Sequence, residues 1–224
     1  MKRIPILIAI VLLGSLSAFS QKKRDVKLTS MLQELVKGFQ GEVGIYVQNL
    51  KTGRIAQING DTIFPTASMV KVPIMCGVMD KIEKGELTYN QELIYRDSLL
   101  YEGEDILGSF KDGEKIKLSK VQMLSITTSD NTASLWLQKL AGGENINTWL
   151  AANGFEHTRV NSRTAGREEN RKRYGWGQTT PREMASLVKM IREDKAVSPA
   201  ASERMYRNLI RIYWDGEALS QIPP

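Results

Sequence analysis

Apolar residues along this 224-residue chain follow a helical period in most segments and a strand period in one early segment. Residues 28–39 place their apolar side chains three or four positions apart, which predicts an amphipathic helix. Apolar and polar residues alternate over 43–47, a turn follows at 51–53, and residues 55–58 return as a second strand. This arrangement predicts a β-hairpin after the first helix.

Helical patterns dominate the rest of the chain. The predicted helices cover residues 68–84, 118–126, 132–140, 145–153, 181–193 and 198–213. Residues 86–117 predict an irregular and partly helical lobe. Residues 154–180 hold no clear period, and a segment of that length is usually functional or disordered. The length favours a single domain over residues 21–224.

The first twenty residues have the pattern of a secretory signal peptide. Two basic residues follow Met1, an apolar run covers residues 4–16, and small residues surround Phe19. The run is about half the roughly 20 residues that a membrane-spanning helix needs. We therefore expect cleavage before Gln21 and a soluble, secreted protein without a membrane anchor, periplasmic in a cell of the Gram-negative type.

The distribution of charge gives no sign of a nucleic-acid partner. The formal net charge is +6, and the basic residues are scattered apart from short runs at 22–24 and 171–173. No alternation of basic and aromatic residues marks a nucleic-acid surface. We expect a monomer that does not bind nucleic acid.

Single copies of histidine and cysteine exclude several kinds of site. His157 lies in a segment without a nucleophile motif. We therefore expect it to be a surface residue rather than the base of a Ser-His-Asp hydrolase. Cys76 has no partner for an intramolecular disulfide, and the two residues together cannot supply the ligands of a zinc site. The sequence does not exclude a metal site built from carboxylates alone, but nothing in it indicates a metal or another cofactor.

Ser68 is the best candidate for a nucleophile, with Lys71 three residues later in a predicted helix. Side chains three positions apart lie on the same helix face. Partial burial lowers the pKa of a lysine and lets it accept a proton, while the helix N-terminus stabilises negative charge that develops near the serine. The pattern alone is weak, because residues 20–23 also match it. Pro65 before the serine and an apolar turn after it give Ser68 the better context.

Ser129, Asp130 and Asn131 form a second polar cluster, at the break between two predicted helices. Ser129 can relay a proton to a leaving group. Asn131 can offer its side-chain amide to a substrate carbonyl. Asp130 is a residue type that caps helices well, so part of the cluster predicts a helix cap.

Residues 68–71, 129–131 and 179–181 together resemble the penicillin-recognising serine hydrolases, and the class A β-lactamases in particular. The resemblance covers residues 28–213. It implies an α/β fold in which an antiparallel sheet is flanked by helices and joined by an all-helical lobe. The active site would lie between the sheet and the lobe.

The same resemblance implies a role for each candidate residue. A lactam carbonyl would acylate Ser68, Lys71 would assist proton transfer, and Ser129 would protonate the departing nitrogen. Asn131 would bind the substrate, and Tyr101 would line the cleft. The partner would be a small β-lactam or a peptidoglycan-like substrate.

The loop that carries the deacylating glutamate in class A β-lactamases departs from the family pattern here. In those enzymes a glutamate two residues after an arginine activates the hydrolytic water. No glutamate stands two residues after Arg163. Glu168, or Glu169 beside it, is the candidate for this role, with solvated surface charge as the alternative. Without such a base the acyl-enzyme would be long-lived.

The resemblance also implies a Lys-Thr/Ser-Gly strand late in the chain, which supplies part of the oxyanion hole. The single Lys-Thr-Gly, at residues 51–53, precedes the nucleophile and predicts a hairpin turn. We therefore expect a C-terminally truncated chain that lacks the last strands and the closing helix. Removing one oxyanion donor typically costs about 10²–10³ in rate.

Three functions stay open from the sequence. The preferred one is an exported β-lactamase that hydrolyses β-lactams through a Ser68 acyl-enzyme and so gives antibiotic resistance. A penicillin-binding or D,D-peptidase-like protein would form the same acyl-enzyme and release it slowly. A non-catalytic envelope binding module would keep the fold and the cleft without the chemistry.

Overall fold

The computed structural model describes residues 24–101, 103, 105–214, 216 and 219–221. The signal peptide predicted over residues 1–20 lies outside this part of the chain. The described residues contain eight α-helices and seven short strands. They form two compact units, one ending at Gly60 and one beginning at Asp61. No helix among the described residues has the length and apolar character needed to cross a membrane.

Helix α1 (Val26–Leu35) opens the first unit. The carboxylate of Asp25 caps it by accepting a hydrogen bond from the backbone N–H of Leu28 at 2.9 Å. The apolar period predicted a helix over residues 28–39. The structure begins it earlier because the cap lies at Asp25, and ends it at Leu35.

A β-hairpin follows in the same unit. Strands β1 (Ile45–Gln48) and β2 (Ile55–Ile58) pair antiparallel, as the sequence predicted. The Asn49 side chain accepts hydrogen bonds from two turn amides, and Gly53 has a φ of +71°, which glycine adopts without steric cost. The Lys-Thr-Gly at residues 51–53 is therefore a hairpin turn.

Most of the second unit is helical. Its helices are α2 (Lys71–Glu83), α3 (Leu118–Thr127), α4 (Asn131–Ala141), α5 (Gly143–Ala152), α6 (Glu168–Tyr174), α7 (Pro181–Arg192) and α8 (Pro199–Leu209). Helix α2 packs against α3, α4, α5 and α8, so Ile74 and Val78 are fully buried at the centre of the core. Six of these seven helices were predicted, and α6 was not.

Short strands complete the second unit. They are β3 (Phe64–Pro65), β4 (Glu92–Ile94), β5 (Lys115–Lys117), β6 (Arg159–Val160) and β7 (Gly177–Thr179). Strand β7 lies between β3 and β6 in an antiparallel sheet, and β4 pairs separately with β5. A Cβ on Gly177 would lie 2.6 Å from Val70 Cγ2, so only glycine allows this close packing. The mixed α/β fold class is confirmed, with its strands in small antiparallel sheets.

The start of α2 and the end of α8 differ from the sequence prediction. Ala67–Val70 forms a 3₁₀ turn, and the α-helix begins only at Lys71. Ala67 has a φ of +44°, which a right-handed α-helix cannot contain. Helix α8 ends at Leu209, short of the predicted residue 213.

Candidate active site

The 3₁₀ turn holds Ser68 exposed in front of α2. The backbone N–H of Thr66 donates a hydrogen bond to the carbonyl of Gly177 at 3.0 Å, which ties this segment to β7. Ala67 is then held in the left-handed region. Such backbone strain persists only where the surrounding structure imposes it, and it occurs often at functional sites.

Lys71 lies beside the turn with a side chain that is almost completely buried. Its Nζ donates to Ser129 Oγ at 2.8 Å, to Asn131 Oδ1 at 2.8 Å and to the backbone carbonyl of Ser129. Burial lowers the pKa of Lys71 from 10.5 to about 8, while the carboxylates of Asp105 and Asp130 act in the opposite direction. A lysine with this pKa can lose its proton near neutral pH and act as a base.

Ser129 connects the lysine to the nucleophile. Its Oγ accepts from Lys71 Nζ and donates to Ser68 Oγ at 3.2 Å. Among the described residues, Lys71 makes its side-chain hydrogen bonds only to residues 129 and 131. The proton path from Ser68 to Lys71 therefore runs through the Ser129 hydroxyl.

Asp130 fixes the loop between α3 and α4, which carries Ser129 and Asn131. Its side chain is 2% exposed, and its two carboxylate oxygens accept from the backbone N–H of Ala133 at 2.7 Å and of Leu107 at 2.9 Å. Burial raises the pKa of this carboxyl group. The cap predicted for this tripeptide is confirmed, because Asp130 is the N-cap of α4.

Asp105 is a site residue that the sequence did not identify. Its carboxylate accepts hydrogen bonds from the backbone N–H of Asn131 at 3.0 Å and of Thr132 at 2.7 Å. The Thr132 hydroxyl in turn accepts from the backbone N–H of Tyr101 at 3.0 Å, and the Tyr101 side chain is half exposed nearby. Residues 86–117 have no periodic pattern. The sequence around Asp105 and Tyr101 therefore did not predict their hydrogen bonds to residues 131 and 132.

Trp176 lies between Lys71 and the loop formed by residues 161–167, and the sequence did not identify it either. The centre of its ring lies 5.8 Å from Lys71 Nζ. Its Nε1 donates to Gln138 Oε1 at 2.7 Å, and the Gln138 amide donates to the carbonyl of Ser162. The carbonyl of Trp176 accepts from the backbone N–H of Ser162 at 3.0 Å. These bonds hold the indole against the lysine.

Glu168 does not join this cluster. It is exposed in the first turn of α6, and its Oε1 accepts from the backbone N–H of Gly166 at 3.2 Å. Glu169 is also exposed and forms an ion pair with a lysine one turn later. No carboxylate in the described part of the chain forms a hydrogen bond with Ser68 or Lys71. The role of Glu168 stays a prediction.

Other reactive groups lie outside the cluster. Cys76 is fully buried in α2, and burial raises the pKa of its thiol. Across the described ranges, no three histidine, cysteine, aspartate or glutamate side chains are grouped so that they could hold a metal ion.

Comparisons of sequence match most of the chain to one family. A model of the beta-lactamase enzyme family matches residues 27–223. Beta-lactamase VEB-1 from Pseudomonas aeruginosa is 27% identical over 188 residues, which are 82% of this chain and 62% of that protein. Beta-lactamase CARB-3 from the same organism is 23% identical over 220 residues, 98% of this chain and 74% of that protein. The chain thus spans less than two thirds of the length of VEB-1.

Comparisons of structure agree with the sequence matches. A mutant of PBP-A, solved as an acyl-enzyme complex with penicillin G, has a TM-score of 0.76 and 27% identity, covering 87% of this chain and 72% of that chain. A beta-lactamase from Sphaerobacter thermophilus DSM 20745 has a TM-score of 0.78 and 24% identity, covering 89% and 75%. The chain therefore belongs to the beta-lactamase enzyme family and has the fold of its serine hydrolases.

Proposed function

We propose that β-lactams acylate this protein on Ser68 and that it hydrolyses them, which would give the producing cell resistance. One observation carries the proposal: a continuous path joins Ser68 Oγ, Ser129 Oγ and Lys71 Nζ, with separations of 3.2 and 2.8 Å. Similar proteins support it. VEB-1 is named a beta-lactamase, and the mutant of PBP-A forms an acyl-enzyme with penicillin G.

During acylation, protons move along this path from the nucleophile Ser68 to the base Lys71. The Ser68 oxygen attacks the lactam carbonyl carbon, its proton moves to Ser129, and the Ser129 proton moves to neutral Lys71. The C–N bond of the lactam then breaks, Ser129 gives a proton to the nitrogen, and Lys71 returns the proton that it accepted to Ser129. The Asn131 oxygen accepts from Lys71, so its NH₂ group is left to donate to a substrate carbonyl.

Deacylation requires a water molecule activated near the Ser68 ester. We assign this activation to Glu168, which would have to turn from Gly166 toward the ester. The exposed position of Glu168 also favours a second candidate function. In that function the protein is penicillin-binding or D,D-peptidase-like, and its acyl-enzyme persists.

A time course of intact mass after mixing with penicillin G separates the two functions. A brief adduct followed by free protein and hydrolysed drug supports the β-lactamase. A persistent adduct supports the penicillin-binding protein. If the folded wild-type chain gives no adduct, as Ser68→Ala should, both functions are wrong and the non-catalytic binding module is left.

The proposal includes export of a monomer that acts on small molecules. Its basis is the signal-peptide pattern of residues 1–20 and the match to the beta-lactamase enzyme family. Expression in a Gram-negative host and mass measurement of the periplasmic protein test it. The expected mature chain begins at Gln21, and protein found only in the cytoplasm with its first residues intact would contradict export.

A further inference from the structure

A basic groove of about 850 Å³ lies between α3 and α8 and has no part in the proposed chemistry. Five basic side chains and one acidic side chain line it: Lys117, Lys120, Arg204, Arg207, Arg211 and Glu203. Glu203, the one carboxylate among the described residues of the lining, forms an ion pair with Arg207. The groove therefore carries an excess of positive charge.

The basic residues form two rows. Lys117 and Lys120 are three positions apart at the start of α3. Arg204 and Arg207 are three positions apart on α8 and share one face of it, and Arg211, two residues after the end of the helix, also lines the groove. Because α3 packs against α8, the two rows line opposite walls of one groove.

Most of these cations have no acidic partner among the residues that the structure describes. Among the residues that the structure describes, no carboxylate forms an ion pair with Lys117, Lys120 or Arg211. The guanidinium of Arg204 lies over the ring of Tyr89, 4.3 Å from its centre, which holds this charge in a fixed position. Clustered like charges repel, so a bound anion would stabilise the groove.

We propose that this groove binds an extended ligand with several carboxylate groups along its length. Free backbone amides at a helix start are one common site for a compact phosphate. Here the first amides of α3 are already used, because Leu118 donates to the carbonyl of Gln91 at 2.9 Å and Ser119 donates to the carbonyl of Tyr89 at 3.0 Å. The basic side chains stand apart from one another in two rows, so they match a ligand whose carboxylates are spaced along a chain.

The groove ends beside the loop that carries Ser129. Thr127 and Thr128 line it, and they directly precede Ser129. A ligand bound there would lie along α8 with one end near Thr128. Binding does not require acylation, so the inference stands apart from the proposed function, and Ser68→Ala should bind the ligand as well as the wild type does.

Fluorescence anisotropy with labelled hexaglutamate tests the inference. The wild-type chain should bind the peptide, and added salt should weaken the binding because the contacts are between exposed charges. The triple variant Lys117→Gln, Lys120→Gln, Arg211→Gln should bind about tenfold more weakly or worse. The control variant Arg171→Gln, Lys172→Gln, Arg173→Gln removes the same charge from α6 and should change affinity less than about twofold.

A second variant makes the groove more positive by removing a negative charge. Glu203→Gln removes the acidic side chain found among the described lining residues and frees Arg207, so it should tighten hexaglutamate binding. The inference is wrong if the wild-type chain does not bind hexaglutamate or if both triple variants lose affinity equally. It is also wrong if tripolyphosphate binds more tightly than hexaglutamate. Circular dichroism of each variant shows whether the fold is kept.

Discussion

The Lys71 amine lies 2.8 Å from the Ser129 hydroxyl, and this hydroxyl donates in turn to Ser68. The lysine thus reaches the nucleophile through a second serine. Burial lowers the pKa of Lys71 to about 8. The amine can therefore exchange a proton with the Ser129 hydroxyl near neutral pH. The predictions below follow from this arrangement and from the groups that hold it.

Lys71 and Ser129 should act as one unit. Lys71→Met and Ser129→Ala should each slow acylation by roughly 10²–10⁴, the range expected for loss of acid-base catalysis. The double variant should be no slower than the slower single variant, because either change interrupts the same path. The rate of adduct formation measures this, with Ser186→Ala on α7 as a control. Losses that multiply would show that the two residues work separately.

The acylation rate should rise with pH through an apparent pKa of about 8. Neutral Lys71 is the active form, and its pKa is below the ordinary value of 10.5, so the active fraction grows as pH passes 8. Stopped-flow measurements with a chromogenic β-lactam give the profile. Lys71→Arg should remove this rise. A rate that falls across the same range would contradict the role of Lys71.

Trp176 should help to set that pKa. Trp176→Ala would let water reach Lys71 and favour its charged form, so the rise in rate should move to higher pH. Losing the ring also removes a cation–π contact, which acts in the opposite direction, but burial is the largest cause of the shift. Trp176→Phe keeps an apolar cover and should move the profile less. A shift to lower pH in Trp176→Ala would contradict this role.

Asp130 should contribute to stability. Asp130→Ala removes the cap of α4 and leaves the backbone N–H of Leu107 without an acceptor, so the free energy of unfolding should fall by about 1–3 kcal/mol. Urea denaturation measures the change. Asp130→Asn keeps one side-chain oxygen as an acceptor and should lose less. Equal stability of Asp130→Ala and the wild type would show that the cap is not needed.

Glu168 should affect only the release of the acyl group. Glu168→Gln should slow deacylation and leave acylation unchanged, since this carboxylate has no hydrogen bond to the nucleophile or the lysine. Glu169→Gln is the matched control, because both residues are exposed in the first turn of α6. Separate rates of adduct formation and decay measure this. Equal decay in both variants would exclude Glu168 as the base.

Elements with a clear period could be predicted from the sequence. The hairpin and every described α-helix except α6 have apolar residues that repeat over nine or more positions or alternate between recognisable turns. Helix α6 has seven residues, mostly charged, and β3 and β6 have two residues each. Such short elements form because tertiary contacts hold them, so their local sequence carries little signal.

Some residues of the candidate site could likewise be predicted from the sequence, and others could not. Ser68, Lys71, Ser129 and Asn131 could be found because their residue types and order match a chemical pattern. Asp105 could not be found in this way. It reaches the start of α4 by folding back across 26 and 27 residues, to the backbone amides of Asn131 and Thr132. Contacts of this kind depend on the fold and leave no local pattern.

Peptide mapping of the chain after brief exposure to penicillin G tests acylation of Ser68 most directly. We expect one penicillin adduct per chain, on the peptide that contains Ser68. The adduct should be absent from Ser68→Ala and should form slowly in Ser129→Ala. A folded wild-type chain that stays unmodified, or an adduct that persists in Ser68→Ala, would contradict the assignment of Ser68 as the nucleophile.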